Sequence, residues 1–86
     1  LFMKKGHRCS LQYHEKKIET LFCFKGKLFI EVNDQKLILK EGEAMTLMPG
    51  EIHRMSAKDE DVIYFESSTI ELDDVVRVED DYGRKI

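Results

Sequence analysis

Two histidines, one glutamate and one glutamine are the residues of this sequence best suited to chemistry. Gln12 and His14 lie two apart in the run Ser10-Leu11-Gln12-Tyr13-His14. On an extended strand that spacing puts both side chains on one face, with Cα atoms about 7 Å apart. Glu19 comes next. A short reversal over residues 15–18 would bring it back beside them on the following strand. His53 stands just after Pro49-Gly50, at the head of a later strand. Converging, these four offer two imidazoles, a carboxylate and an amide oxygen, a donor set that suits a hard or borderline divalent ion. The His-His-Glu subset alone is also the facial triad of non-haem iron sites. Taken singly, each histidine is as readily a surface residue or a satisfied core residue, so the argument depends on convergence.

No second catalytic group stands out. Lys16, Lys17, Glu51 and Tyr64 are conceivable bases, each equally at home as a surface or wall residue. Strand alternation turns Arg54 away from the side that His53 faces. His7 follows Gly6 in a turn and reads as exposed.

The elements that must position these side chains read as strands. No segment keeps apolar residues at a 3.6-residue period for three turns, whereas short runs rich in Val, Ile, Phe, Tyr and Thr recur between turn residues. The expected strands are 1–4, 10–14, 20–24, 28–32, 36–39, 44–47, 53–57, 62–67 and 75–78. Asn33-Asp34 predicts a tight hairpin turn. Glu41-Gly42 and Pro49-Gly50 predict two more turns, and residues 58–61 a charged loop. The pattern predicts an all-β sandwich or barrel in one domain, 1–86.

At 86 residues, with 42% hydrophobic and 36% charged, the chain has an ordinary globular composition. A domain this short is marginal alone, so a bound metal or a partner subunit is expected to help it. The net charge of −3 and the lack of a dense basic cluster argue against nucleic acid as a partner. No apolar run nears the ~20 residues of a membrane span, and no signal peptide is visible, so a cytoplasmic protein is expected. The chain opens on Leu1 within Leu1-Phe2-Met3, which suggests that an N-terminal segment is missing. If residues 10–14 and 19–24 form a hairpin, Cys9 falls near Cys23. A disulfide and two half-buried thiols are then both open, with the thiols preferred.

Two segments resemble a known family. Residues 6–26, GHRCSLQYHEKKIETLFCFKG, read G-x(5)-Q-x-H-x(4)-E-x(6)-G. This looks like the first motif of the cupin superfamily, whose usual form has His where Gln12 stands. Residues 42–53, GEAMTLMPGEIH, read G-x(7)-G-x(2)-H and are similar to the second motif. They depart from it in lacking proline at the Met48 position, and the chain lacks the family's asparagine at the Ala57 position. The resemblance implies a double-stranded β-helix, the jelly-roll-like cupin barrel of six to eight strands. It also implies one divalent ion near one end, held by Gln12, His14, Glu19 and His53.

Ser10-Leu11-Gln12-Tyr13-His14 further resembles the S-L-Q-x-H of mannose-6-phosphate isomerase cupins. A Gln-His-Glu-His set binds zinc in the type I phosphomannose isomerases, so zinc is expected first, with iron, manganese or nickel as alternatives. Residues 73–84, DDVVRVEDDYGR, are similar to the ending of the type II mannose-6-phosphate isomerase domain. Tyr82 and Arg84 match that ending and could close over a sugar phosphate; the preferred reading of Arg84 is that it pairs with Asp80 or Asp81 and fastens the tail. The implied activity is a metal-dependent sugar-phosphate isomerase or epimerase. The alternatives are a non-catalytic cupin module that binds a sugar or small acid, and a non-haem iron dioxygenase. Cupins often pair, and an exposed first strand needs cover, so a homodimer is expected.

Overall fold

Glycine and turn pairs interrupt the β-branched and aromatic runs before a helical stripe can form, and each run becomes a short strand. The computed structural model describes residues 1–69 and 75–79, and these hold nine strands and no helix. In chain order they are β1 (Phe2–Met3), β2 (Leu11–Tyr13), β3 (Glu19–Lys25), β4 (Leu28–Val32), β5 (Gln35–Leu39), β6 (Ala44–Leu47), β7 (His53–Ser56), β8 (Val62–Ser68) and β9 (Val76–Glu79). Every strand expected from the sequence is present, with each end matched to within one residue.

The strands form two antiparallel sheets, one ordered β1-β8-β3-β6 and the other β5-β4-β7-β2-β9. The pattern predicts an all-β sandwich or barrel, and the double-sheet jelly-roll arrangement seen here is the one the family resemblance implies. Inward positions of both sheets meet in one core that includes Leu21, Leu28, Ile30, Leu47, Met55 and Val62, each at most 1% exposed.

Two turns show how local chemistry fixes the sheets. Asn33 takes φ +54°, which lets a two-residue turn close β4 on β5 with Val32 opposite Gln35. Its side-chain oxygen accepts the Ile52 N–H at 3.1 Å, and its own N–H donates to the Ile52 carbonyl at 2.6 Å. The hairpin therefore holds the residue that precedes His53. Gly26, at φ +87°, approaches so closely that a Cβ there would lie 2.6 Å from the Asp61 carbonyl oxygen.

One expectation is corrected. β2 and β3 are not neighbours in a hairpin; residues 15–18 carry the chain from one sheet to the other. The geometry that would have paired the cysteines is therefore absent, and both thiols are free. Cys9 Sγ accepts the Met55 N–H at 3.1 Å, and Cys23 donates to the Gly26 carbonyl at 3.3 Å. Tyr82 and Arg84 lie outside the described residues.

Candidate metal centre

His14 ends the segment that includes β2, Glu19 begins β3, and His53 begins β7. Since β2 and β7 belong to one sheet and β3 to the other, the three side chains meet between the sheets at one end of the barrel. All three are buried: His14 at 3%, Glu19 at 4% and His53 at 0% exposure. Each offers one ligand atom, and these atoms lie within 4.8 Å of one another. His14 Nε2 is 3.7 Å from Glu19 Oε2, and the two imidazole centroids are 5.1 Å apart. Two donors on one ion can be at most about twice a 2.0–2.2 Å bond apart. Three donors cannot all reach that straight-line limit; at tetrahedral angles the same bonds put donors about 3.3–3.6 Å apart, so the 3.7 Å pair nearly fits and the widest pair would close by about 1 Å.

Backbone contacts hold the two histidine segments together. In the turn before His53, Gly50 adopts φ +86° and its N–H donates to the His14 carbonyl at 2.7 Å. The Glu51 carbonyl accepts the Nδ1–H of His53 at 3.1 Å. A carbonyl can only accept, so Nδ1 carries the proton and Nε2 keeps its lone pair. This is the usual outer-shell device for a metal-binding imidazole. Burial lowers the pKa of His53, with the nearby His14 adding to the effect and the Glu51 bond opposing it, which favours the neutral ligand form. His14 Nε2 and His53 Nε2 are buried atoms with no hydrogen bond. Such groups are costly to bury, and a cation would satisfy both.

Gln12 is paired directly with His53 across β2 and β7, so the two share the inner face. Its side chain is half-buried there. Glu51, one of the conceivable bases, is engaged elsewhere: its carboxylate accepts the Met48 N–H at 2.6 Å within the turn. Arg54 falls on the outward side of β7 as alternation predicts, although it is buried. His7 is exposed as expected.

The sequence reading missed Glu66. On β8 it pairs with Leu21, which points into the core, so Glu66 points to the same interior side. The next pair on that face is Glu19 with Ser68. Glu66 is solvent-accessible, yet protein atoms crowd it at the barrel mouth. That burial first, then the charge of Glu19, raises its pKa, while Lys17 and His14 oppose the rise. Tyr64 lies deeper on the same face, buried, and burial holds its hydroxyl protonated well beyond neutral pH. Tyr64 is among the conceivable bases of the sequence, and alternation along residues 62–67 could have identified Glu66 too, had the facing residues been known. A depression lined by Phe29, Glu31, Lys36, Ile38, Ser56 and Lys58 includes none of the donors.

A family profile described as "Cupin domain" matches residues 1–69. No curated protein matches the sequence significantly. Among solved structures, a cupin-like protein from Thermotoga maritima superposes with a TM-score of 0.80 at 20% identity, over 92% of this chain and 61% of its own. KdgF from Halomonas sp. gives 0.76 at 19% identity, over 85% of this chain and 66% of its own. A protein from Acidithiobacillus ferrooxidans, provisionally described as a sugar phosphate isomerase, gives 0.72 at 13% identity, over 78% of this chain and 45% of its own. At these identities the likeness establishes the fold, and the chain spans less than two thirds of the length of several of its structural neighbours.

Proposed function

This chain belongs to the cupin family, and we propose that it holds one divalent ion through Gln12, His14, Glu19 and His53 and acts on a sugar phosphate as an isomerase or epimerase. The observation that supports the ion is the buried convergence of three donors, with the fully buried Nε2 of His53 left without a hydrogen bond. Zinc suits the set, and iron, manganese or nickel would also fit it. The sugar-phosphate class is supported by the S-L-Q-x-H run, by the resemblance of the tail to mannose-6-phosphate isomerase, and by the description of one structural neighbour.

When bound, the ion would polarise neighbouring carbonyl and hydroxyl oxygens of the sugar as a Lewis acid. Gln12 is neutral, so Glu19 is the one anionic ligand and neutralises less of the cation's charge than two carboxylates would. Isomerisation also needs a group to carry a proton between adjacent carbons. Glu66 is suited to that task by its place on the inner face one ladder step from Glu19 and by its raised pKa. Tyr82 and Arg84 are proposed to close over the phosphate, on the tail resemblance alone. A cytoplasmic homodimer completes the proposal; among the described residues no helix is long and apolar enough to cross a membrane.

A second reading is a cupin that binds a sugar or small acid without turning it over. It is favoured because, among the described residues of β8, Tyr64 is held protonated by burial and Glu66 is left as the candidate base on the inner face beside the donors. Metal analysis of the purified protein, followed by NMR of metal-loaded protein with mannose 6-phosphate, fructose 6-phosphate and related sugars, separates the readings. Conversion supports the isomerase; saturable binding with no conversion supports the binding module. Protein that retains no ion refutes the isomerase reading as stated.

A further inference from the structure

The outer face of the β1-β8-β3-β6 sheet is a second unexplained surface. Its outward ladder positions are Thr20, Phe22 and Phe24 on β3, Ala44 and Thr46 on β6, and Ile63, Phe65 and Ser67 on β8, with Phe2 alongside Ile63. Phe22, Phe24 and Phe65 form a contiguous cluster. Phe22 and Phe65 stack with centroids 6.4 Å apart, and Phe24 meets Phe65 edge-on at 5.7 Å. Phe2, Phe22, Phe24 and Phe65 are 64%, 37%, 57% and 51% exposed.

Apart from Lys25, which the register places opposite Ile63 in the end row, none of the outward positions is charged, in a chain that is 36% charged. Lys25, beyond the bulge at Phe24, marks the margin of the face. Aromatic enrichment with charge depletion is the composition of a buried interface centre, not of a solvated sheet.

We propose that this sheet face, centred on Phe22, Phe24 and Phe65, is the surface through which two copies of the chain pair. Area and charge both support a second copy. The four rings expose the equivalent of about two whole phenylalanine side chains, roughly 300–500 Å². That is about half of the ~800 Å² that each partner buries in a standard interface, before the flanking threonines, Ala44 and Ile63 are added. In a twofold pair each residue near the axis meets its own copy, so any charge there would face a like charge. The aromatic centre of the face is uncharged and satisfies that condition, with Lys25 standing off in the end row, whereas a different protein could be matched with complementary charges.

The face is also better suited than the sheet edge considered from the sequence. β1 is only two residues long and offers few backbone groups for strand addition. The proposal rests on the homodimer reading and gives it a surface; it does not depend on the metal.

Sedimentation equilibrium of the full chain, from about 1 to 100 µM, tests it. The expected result is a monomer–dimer equilibrium. Phe65→Glu and Phe22→Glu should each raise the dissociation constant at least about thirty-fold, as loss of a hot-spot ring does. Thr46→Arg probes the same face without removing a ring and should weaken pairing in the same direction. Ile38→Glu, at a 49% exposed site on the outer face of the other sheet, should leave pairing unchanged. A dimer that survives all three face substitutions, or that Ile38→Glu breaks, would overturn the surface and leave the dimer standing. A monomer at every concentration would overturn both.

Discussion

Replacing His53 by leucine should separate the metal role of this residue from its packing role. His53 is fully buried, and its two ring nitrogens have opposite fates. Nδ1 donates to the Glu51 carbonyl at 3.1 Å, and Nε2 makes no hydrogen bond. Losing the Nδ1 bond costs about 1 kcal/mol. Removing a buried polar atom with no hydrogen bond returns about 1–3 kcal/mol, and leucine fills a comparable volume. In the presence of a chelator the two terms offset, and the variant should lie within about 2 kcal/mol of the wild type. Emptying a core position to alanine would instead cost about 2–5 kcal/mol.

With an ion present the two proteins should diverge. An ion at about a hundred times its Kd stabilises the native state by about 2.7 kcal/mol. For a domain of this size that is a rise of roughly 10–20 °C in melting temperature. The wild type should show that rise on zinc addition, and His53→Leu should show little of it. Thermal unfolding by circular dichroism, with chelator and then with excess ion, is the measurement. A variant that melts far below the wild type in chelator would make His53 a structural residue. Equal stabilisation of both by zinc would move the site elsewhere.

Other outcomes follow from the same geometry. Because burial lowers the pKa of His53 from 6.5, the unfolded chain binds more protons than the folded one below that value. Stability of the chelator-treated protein should therefore hold above about pH 6.5 and fall as pH drops toward the lowered native pKa, in urea titrations at several pH values. The raised pKa of Glu66 acts in the opposite direction above 4.5, weakly because the group is solvent-accessible. Gly26→Ala should lower the urea midpoint by the equivalent of about 2 kcal/mol or more, since the new Cβ would meet the Asp61 carbonyl at 2.6 Å with φ at +87°. If the isomerase reading holds, Glu66→Gln should reduce turnover about a hundred-fold or more while zinc stoichiometry stays unchanged. Loss of the ion together with the activity would instead make Glu66 part of the metal's surroundings.

The fold was legible because its turns announce themselves. Asn33-Asp34, Pro49-Gly50 and the glycines at 26 and 42 bound the strands, and a chain punctuated so often has little room for a helix. His14, Glu19 and His53 were legible through the spacing of their motifs, but the route that joins them was not. A four-residue connection such as 15–18 can close a hairpin or cross between sheets with equal ease. The choice is made by long-range pairing of β3 with β6 and β8, which no local pattern records. The same ignorance hid Glu66, whose facing depends on its being opposite Leu21.

The run Thr20-Leu21-Phe22-Cys23-Phe24 shows where alternation fails and why. Four of its five residues are apolar, so a period of two gives no preference for either face. The structure turns Leu21 and Cys23 inward and sends the two larger rings outward. For a strand that faces solvent this inverts the hydrophobic effect, since each ring could remove more apolar surface from water than the cysteine does. The inversion is removed if the outer face is also an interior. An apolar run without alternation is the signature of a strand covered on both sides, by the core on one and, on the proposed pairing, by a second copy of the chain on the other. The physics that places Leu21 in the barrel then accounts for Phe22 and Phe24 as well, and the marginal core of so short a chain is extended by the rings that its own sheets leave uncovered.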